Sequence, residues 1–179
     1  MAGSYDAIPV VGVSGSPAAT SRSRTLLDLA LGALERHGGR AQRIDLAGLP
    51  ADALLGRTPD PAVAEAIAAV QDARIVVVST PIYRATYSGL LKVFFDLLPQ
   101  DALAGTVAVP IATGGGPAHL LAVEHGLRPL LASVGALVVS AGVYGTDAQF
   151  RAGGPDADLV GRIERAALEA ASLAAGVTT

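Results

Sequence analysis

Arg74-Ile75-Val76-Val77-Val78-Ser79 is an unbroken, largely β-branched run, and a strand with no polar face is what the centre of a sheet covered on both sides requires. Outward from it, short apolar runs alternate with amphipathic segments. Upstream, Ile8 to Ser14 reads as a first strand. It feeds a helix from Ser23 to His37, with Leu26, Leu27, Leu31 and Leu34 on one face and Gly38-Gly39 as the stop signal. Ala41 to Asp45 is a second short strand. The stretch Leu46 to Asp60 holds two prolines and two glycines and reads as a long loop, after which Pro61 opens a helix to Ala73. Downstream, the pattern predicts a helix over Ser88 to Leu98 closed by Pro99, a strand over Thr106 to Ala112 and a helix over Ala118 to Val134. A strand over Ala136 to Val143 and a helix over Asp156 to Ala174 follow, with a frayed tail after Ala175.

Five strands alternating with five helices match the flavodoxin-like α/β architecture, a doubly wound five-stranded parallel sheet in the order 2-1-3-4-5 with helices on both faces. That order reverses between strands one and three, and ligands of open α/β sheets sit beyond the carboxyl ends of the strands at such a switch point. The loops after strands one, three and four are therefore the expected site. No internal repeat or domain-sized linker interrupts the chain, so residues 1–179 are expected to form one domain.

Composition narrows the chemistry. With 51% hydrophobic and 16% charged residues the chain has ample material for a core. A net charge of −3 with scattered basic residues lacks the electrostatic footprint of a nucleic-acid binder. The absence of cysteine removes disulfides, thiolate metal sites and cysteine nucleophiles together, so any redox chemistry must come from a bound cofactor. The N-terminus has no basic region ahead of its apolar stretch, and no uncharged run approaches the roughly 18 residues of a membrane helix. A soluble, cytoplasmic protein without membrane contact is the expectation.

The first candidate loop, Ser14-Gly15-Ser16-Pro17-Ala18-Ala19-Thr20-Ser21-Arg22-Ser23, leaves a buried strand and enters a helix. It offers hydroxyls, backbone N–H groups, a helix N-terminus and a guanidinium, all of which favour an anion; Ser21 or Ser23 also suits a simple helix cap. It has neither the lysine of GxxxxGK[ST] nor the glycines of GxGxxG, which argues against a triphosphate P-loop and a dinucleotide Rossmann site. Gly12-Val13-Ser14-Gly15-Ser16 fails the nucleophile-elbow pattern at its last position. The second loop, Thr80-Pro81-Ile82-Tyr83-Arg84-Ala85-Thr86-Tyr87-Ser88-Gly89, supplies a flat apolar wall, with Ser88 also placed to cap the next helix. The third, Thr113-Gly114-Gly115-Gly116-Pro117-Ala118-His119, lets backbone amides approach a ligand without side-chain obstruction.

In these segments the sequence resembles the NADPH-dependent FMN reductase family, particularly the small reductases that supply reduced FMN to two-component sulfonate monooxygenases. The likeness runs from Val10 to Gly145 and rests on GSPAATSRS, TPIYRATYSGLLKVFFDLLP and ATGGGPAHLLAVEHGLRPLL. It implies an enzyme that binds FMN and passes hydride to it from NADPH or NADH. It further implies that Ser16, Ser21, Arg22 and Ser23 hold the phosphate, that Pro81, Ile82, Tyr83 and Ser88 line the flavin, and that Thr113, Gly114 and Gly115 meet its ring edge. Many relatives read GSxRxxSxN in the first loop; here Pro17 and Ala18 occupy the arginine region and Arg24 replaces the asparagine. No catalytic side chain and no metal are called for, since the cofactors carry the electrons. A quinone or azo-dye reductase with retained FMN and a flavodoxin-like electron carrier are the alternative readings.

The fourth helix has a defect visible in its chemistry. Leu120, Val123, Leu127, Leu130 and Val134 give it an apolar face, but Pro129 lacks an N–H and its ring meets the carbonyl of His125. The helix must open there, as a kink or as a one-residue π-bulge. In the family it resembles, this helix lies in an oligomer interface, which implies a homo-oligomer, a tetramer ahead of a dimer.

Overall fold

The computed structural model describes residues 7–151 and 154–176. Its main sheet is built on four parallel strands, β1 (Ile8–Ser14), β2 (Gly39–Asp45), β3 (Ile75–Tyr83) and β5 (Val107–Gly114), in the order β2-β1-β3-β5. Strand alternation sorts the core into two layers. Val10, Ile75, Val77, Val109 and Ile111 face α1 (Arg22–Arg36) and α6 (Ala157–Gly176). Val11, Val13, Val76, Val78 and Ala108 face the opposite way, onto α3 (Pro61–Gln71) and α4 (Gly89–Phe95). The flavodoxin-like parallel α/β frame expected from the sequence is therefore present, with helices on both faces.

The strand inventory differs from the expected five, because the sheet has seven strands. The expected fifth strand over Ala136 to Val143 is broken into β6 (Leu137–Val138) and β7 (Val143–Thr146), both paired to β5. Pro110 explains the break. Thr106 and Ala108 turn their carbonyls toward this edge, accepting from Leu137 and Val139 at 2.9 and 3.0 Å. Pro110, two residues on, has the same orientation and no N–H to offer. The intervening chain is held by charged side chains instead: Ser140 N–H donates to Glu169 (2.7 Å), while Arg128 donates to the Val139 and Ser140 carbonyls (2.9 and 3.1 Å).

The second addition lies after the expected end of strand three at Ser79. β3 continues through Pro81 to Tyr83 and folds back as β4 (Thr86–Tyr87). Ser79 turns its carbonyl to Gly15 N–H at 2.8 Å. Pro81 points to the same side, beyond the end of β1, so its missing donor interrupts no ladder. The hairpin turn places Arg84 and Ala85 at φ of 50° and 71°, the positive-φ pair of a type I′ turn without its usual Asn-Gly.

Two further segments depart from expectation. The stretch Leu46 to Asp60 is not a plain loop, since it carries a 3₁₀ turn at Leu46–Gly48 and a short helix, α2 (Ala51–Leu54). The single helix expected over Ala118 to Val134 is a 3₁₀ turn at Pro117–His119, a π-helix at Val123–Leu127 and α5 (Arg128–Ser133). The π turn surrounds His125, and Arg128 N–H donates to the Val123 carbonyl five residues back, the wider turn that Pro129 forces. Leu120, assigned above to the apolar face, is half exposed. A small hairpin of β8 (Phe150–Arg151) and β9 (Gly154–Pro155) precedes α6, and the tail expected to fray lies largely outside the described residues.

Candidate functional site

The loops after β1, β3 and β5 converge on one cleft of about 520 Å³, lined by Ser16, Ala18, Thr20, Ser21, Arg22, Pro81, Ile82, Tyr83, Thr113, Gly114 and Gly115. That volume suits a small ligand or cofactor. The lining comes from the carboxyl ends of three neighbouring strands, at the switch point where α1 and α4 leave opposite faces.

One end of the cleft is polar. Ser21 caps α1, its Oγ accepting from Arg24 N–H at 3.2 Å, which leaves the first N–H groups of α1 without intrahelical carbonyl partners. Ser16 Oγ accepts from Ala18 N–H at 3.2 Å and shapes the loop ahead of the helix. Arg24 straps the same loop from outside, donating to the Ala19 carbonyl at 2.5 Å and to Asp45 at 2.8 Å. Hydroxyls, helix-start amides and the Arg22 guanidinium form a donor set matched to a phosphate.

The opposite side is flat and apolar, formed by Pro81, Ile82 and the half-exposed Tyr83. Its edge is the glycine loop, whose shape is imposed by Tyr144. The ring of Tyr144 is buried and its hydroxyl donates to the Gly116 carbonyl at 2.8 Å; burial pushes the phenol above its ordinary pKa. A Cβ on Gly114 would fall inside that hydroxyl, so only glycine brings the backbone this close.

Of the residues expected to contact a ligand, Ser23 and Ser88 do not line the cleft. Both are buried behind it. Ser23 Oγ lies 3.1 Å from Ser21 Oγ, and its carbonyl accepts from Ser79 Oγ at 2.8 Å. Ser88 caps α4, accepting from Leu91 N–H at 3.1 Å, and donates to the Gly15 carbonyl at 2.6 Å. It thereby pins the first loop to the second. Gly15 allows the approach, since a Cβ there would stand 2.9 Å from that of Leu91.

Sequence reasoning missed Tyr144, the Arg24 strap and Asp147, whose carboxylate pairs with Arg22. Tyr144 sits inside the expected last strand's neighbourhood, and only the register of β7 against β5, Tyr144 beside Ala112, shows that its hydroxyl reaches the glycines. Among the described residues no cluster of metal-ligating side chains occurs, and no helix is long and apolar enough to cross a membrane.

Residues 8–150 match the family model described as NADPH-dependent FMN reductase. An FMN reductase (NADPH) of Escherichia coli (strain K12) is 40% identical over 141 residues, covering 78% of this chain and 74% of that protein. A crystal structure of the apo form of an NADH:FMN oxidoreductase (EMOB) superposes with a TM-score of 0.85 at 36% identity, over 95% of this chain and 90% of the other. A flavodoxin from the domain Archaea superposes with a TM-score of 0.66 at 12% identity, over 93% and 98% of the two chains, a likeness of fold alone.

Proposed function

The chain belongs to the NADPH-dependent FMN reductase family and is an NAD(P)H-dependent FMN oxidoreductase; from that premise we propose that the cleft between the β1, β3 and β5 loops is where FMN binds. The observation that carries the reading is chemical complementarity along one cleft. A phosphate-matched donor set stands at one end, a flat apolar wall along the side, and at the edge a glycine cradle that a single Cβ would fill.

Ser16, Ser21 and Arg22 hold the phosphate at the start of α1, with Thr20 beside them. Pro81, Ile82 and Tyr83 lie along the flavin face, and Thr113, Gly114 and Gly115 present backbone to its polar rim. Ser23 and Ser88 serve the same site from behind, by fixing the loops that carry these groups. When bound, FMN accepts hydride from the nicotinamide, and the protein's part is to orient the two rings and exclude competing reactions. Tyr83, half exposed at the cleft, leaves that side of the site open to a second ring.

Three finer assignments complete the proposal. The whole chain acts as one FMN-binding domain in the cytoplasm. Reduced flavin leaves for a partner monooxygenase, as in the reductases the sequence resembles. The protein is a homo-oligomer, a tetramer, joined through the region around His125, where Leu120 and Leu121 are 50% and 60% exposed on the single chain. Light scattering on the purified protein and on Leu121→Asp tests the last of these; the variant is expected to dissociate.

The deciding experiment is anaerobic mixing with NADPH or NADH, with and without added FMN, following flavin absorbance. Bleaching that saturates with added FMN is expected. Arg22→Ala should weaken FMN binding about tenfold to a hundredfold, because a hydrogen bond to a charged group is worth about 1.5–3 kcal/mol. Equal affinities by titration calorimetry would remove Arg22 from the phosphate site.

A further inference from the structure

Arg22 opens α1 and lines the cleft, but its guanidinium already has an anionic partner. It pairs with the Asp147 carboxylate, and its Cζ stands 6.0 Å from the centre of the Phe150 ring. Both partners belong to the segment that follows β7. β7 ends at Thr146, which is in register with Gly114 of β5, so the segment springs from the same sheet edge as the glycine loop. Asp147 is the first residue of a 3₁₀ turn, Asp147–Gln149, locked by a capping box: Gln149 Oε1 lies 3.1 Å from Thr146 N and 3.3 Å from Thr146 Oγ1. The carboxylate is thus presented to Arg22, which lines the cleft, by a turn that its capping box holds in place.

A carboxylate seated on the cation that is to receive a phosphate is a competitor for it. Building on the reading of this cleft as the FMN site, we propose that Asp147 sets the affinity for the flavin. Its carboxylate competes with the FMN phosphate for the Arg22 guanidinium and keeps the bound flavin exchangeable. The burial of the pair supports a modest, tunable effect. The side chains of Arg22 and Asp147 are 41% and 53% exposed, and ion pairs in that setting are weak enough for a dianionic phosphate to displace. After displacement, Asp147 remains a negative charge close to the phosphate, within the range over which such repulsion survives at physiological ionic strength. A flavin held only by its ring, without a phosphate, does not meet this competition.

The test uses Asp147→Asn, which keeps a side-chain oxygen for Arg22 and removes the charge. FMN binding, followed by quenching of flavin fluorescence at low salt, should tighten about threefold to tenfold, with a slower off-rate on dilution. The gain should shrink toward unity at molar salt, and riboflavin should bind wild type and variant alike. In the Arg22→Ala background, Asp147→Asn should bring a smaller gain, because only the residual repulsion of the phosphate is left to relieve. Unchanged or weaker FMN binding by a variant with wild-type circular dichroism overturns the proposal, because Asp147 would then be orienting Arg22 rather than opposing the ligand. Equal tightening for riboflavin overturns it as well. The reading of the cleft fails separately: if Arg22→Ala leaves FMN affinity unaltered, the phosphate does not meet Arg22 and both fall. If Arg22→Ala weakens binding while Asp147→Asn does not tighten it, only the role of Asp147 is lost.

Discussion

Tyr144 and Gly114 form a lock in which each residue's identity follows from the other's. The phenol hydroxyl donates to the Gly116 carbonyl at 2.8 Å, and the space it occupies is where a Gly114 Cβ would be. Gly114→Ala should therefore cost about 1–3 kcal/mol of stability and impair FMN binding, since the glycine edge must move away from the cleft. Adding Tyr144→Phe removes the atom that clashes but leaves the ring carbon 3.1 Å from the new methyl, so it should restore part of the loss and not all. Thermal denaturation and flavin titration of the single and double variants measure this. A double variant no better than Gly114→Ala alone would show that the ring and not the hydroxyl sets the distance. At this scale the sequence reveals residue types and hides their partners. The glycines of the third loop are visible as an open edge, whereas the side chain that requires one of them lies thirty residues on. Ser88 shows the same limit: a capping role and a ligand role are written with the same serine, and only its 2.6 Å bond to the Gly15 carbonyl shows where the hydroxyl points.

Among the elements that departed from expectation, the split edge strand, the π-helix and the β3–β4 hairpin are those where proline or positive φ overrides the apolar pattern. Pro110 and Pro129 each sit in a segment whose hydrophobicity reads as continuous, and each removes a donor that the continuous element would need. The consequence of Pro129 was legible, because a helix has only one place for the missing bond. That of Pro110 was not, because the break falls on the neighbouring strand. The β3–β4 hairpin escaped for a different reason: its type I′ turn is made by Arg84 and Ala85 in place of Asn-Gly. A non-glycine residue in the left-handed region costs about 1–2 kcal/mol, and the hairpin is retained against that cost by the π-helix packed on it, with Gly126 closing onto Thr86 and Tyr87. Ala85→Gly should relieve part of the strain and raise stability by about 0.5–1 kcal/mol, or roughly 1–4 °C in melting temperature for a chain of this size. A lower melting temperature for Ala85→Gly would mean that the freedom gained by the unfolded glycine outweighs whatever strain the turn holds.

Across the whole molecule, the broken edge of the sheet is also where its two helical layers are joined by charge. Arg128 at the start of α5 donates to the Val139 and Ser140 carbonyls from one face and pairs with Glu124 at 2.6 Å, while Glu169 of α6 accepts from Ser140 N–H on the other. The hydrogen bond from Arg128 holds the Glu124 carboxyl below the usual carboxylate range. For Glu169, burial pulls upward, but the hydrogen bonds from Ser140 and Ala141 and the charge of Arg128 together leave it below its ordinary value as well. A carboxylate whose folded pKa lies below its unfolded one adds stability that is complete above the unfolded value and is lost as pH falls through the folded value. Stability should therefore decline as pH drops from about 5 toward 3, beginning in the edge segment over residues 137–143. Glu169→Gln isolates the contribution of one group. It should be less stable than wild type at pH 7, and the difference should narrow as acid removes the same charge from the wild type. Urea denaturation at pH 7, 5 and 3.5 reads this directly, and hydrogen exchange at Ser140, whose N–H faces Glu169, should report it locally. A difference between the two proteins that stays constant over that range would show that the Glu169 carboxylate acts through shape alone, leaving Arg128 to hold the two layers together at the sheet edge.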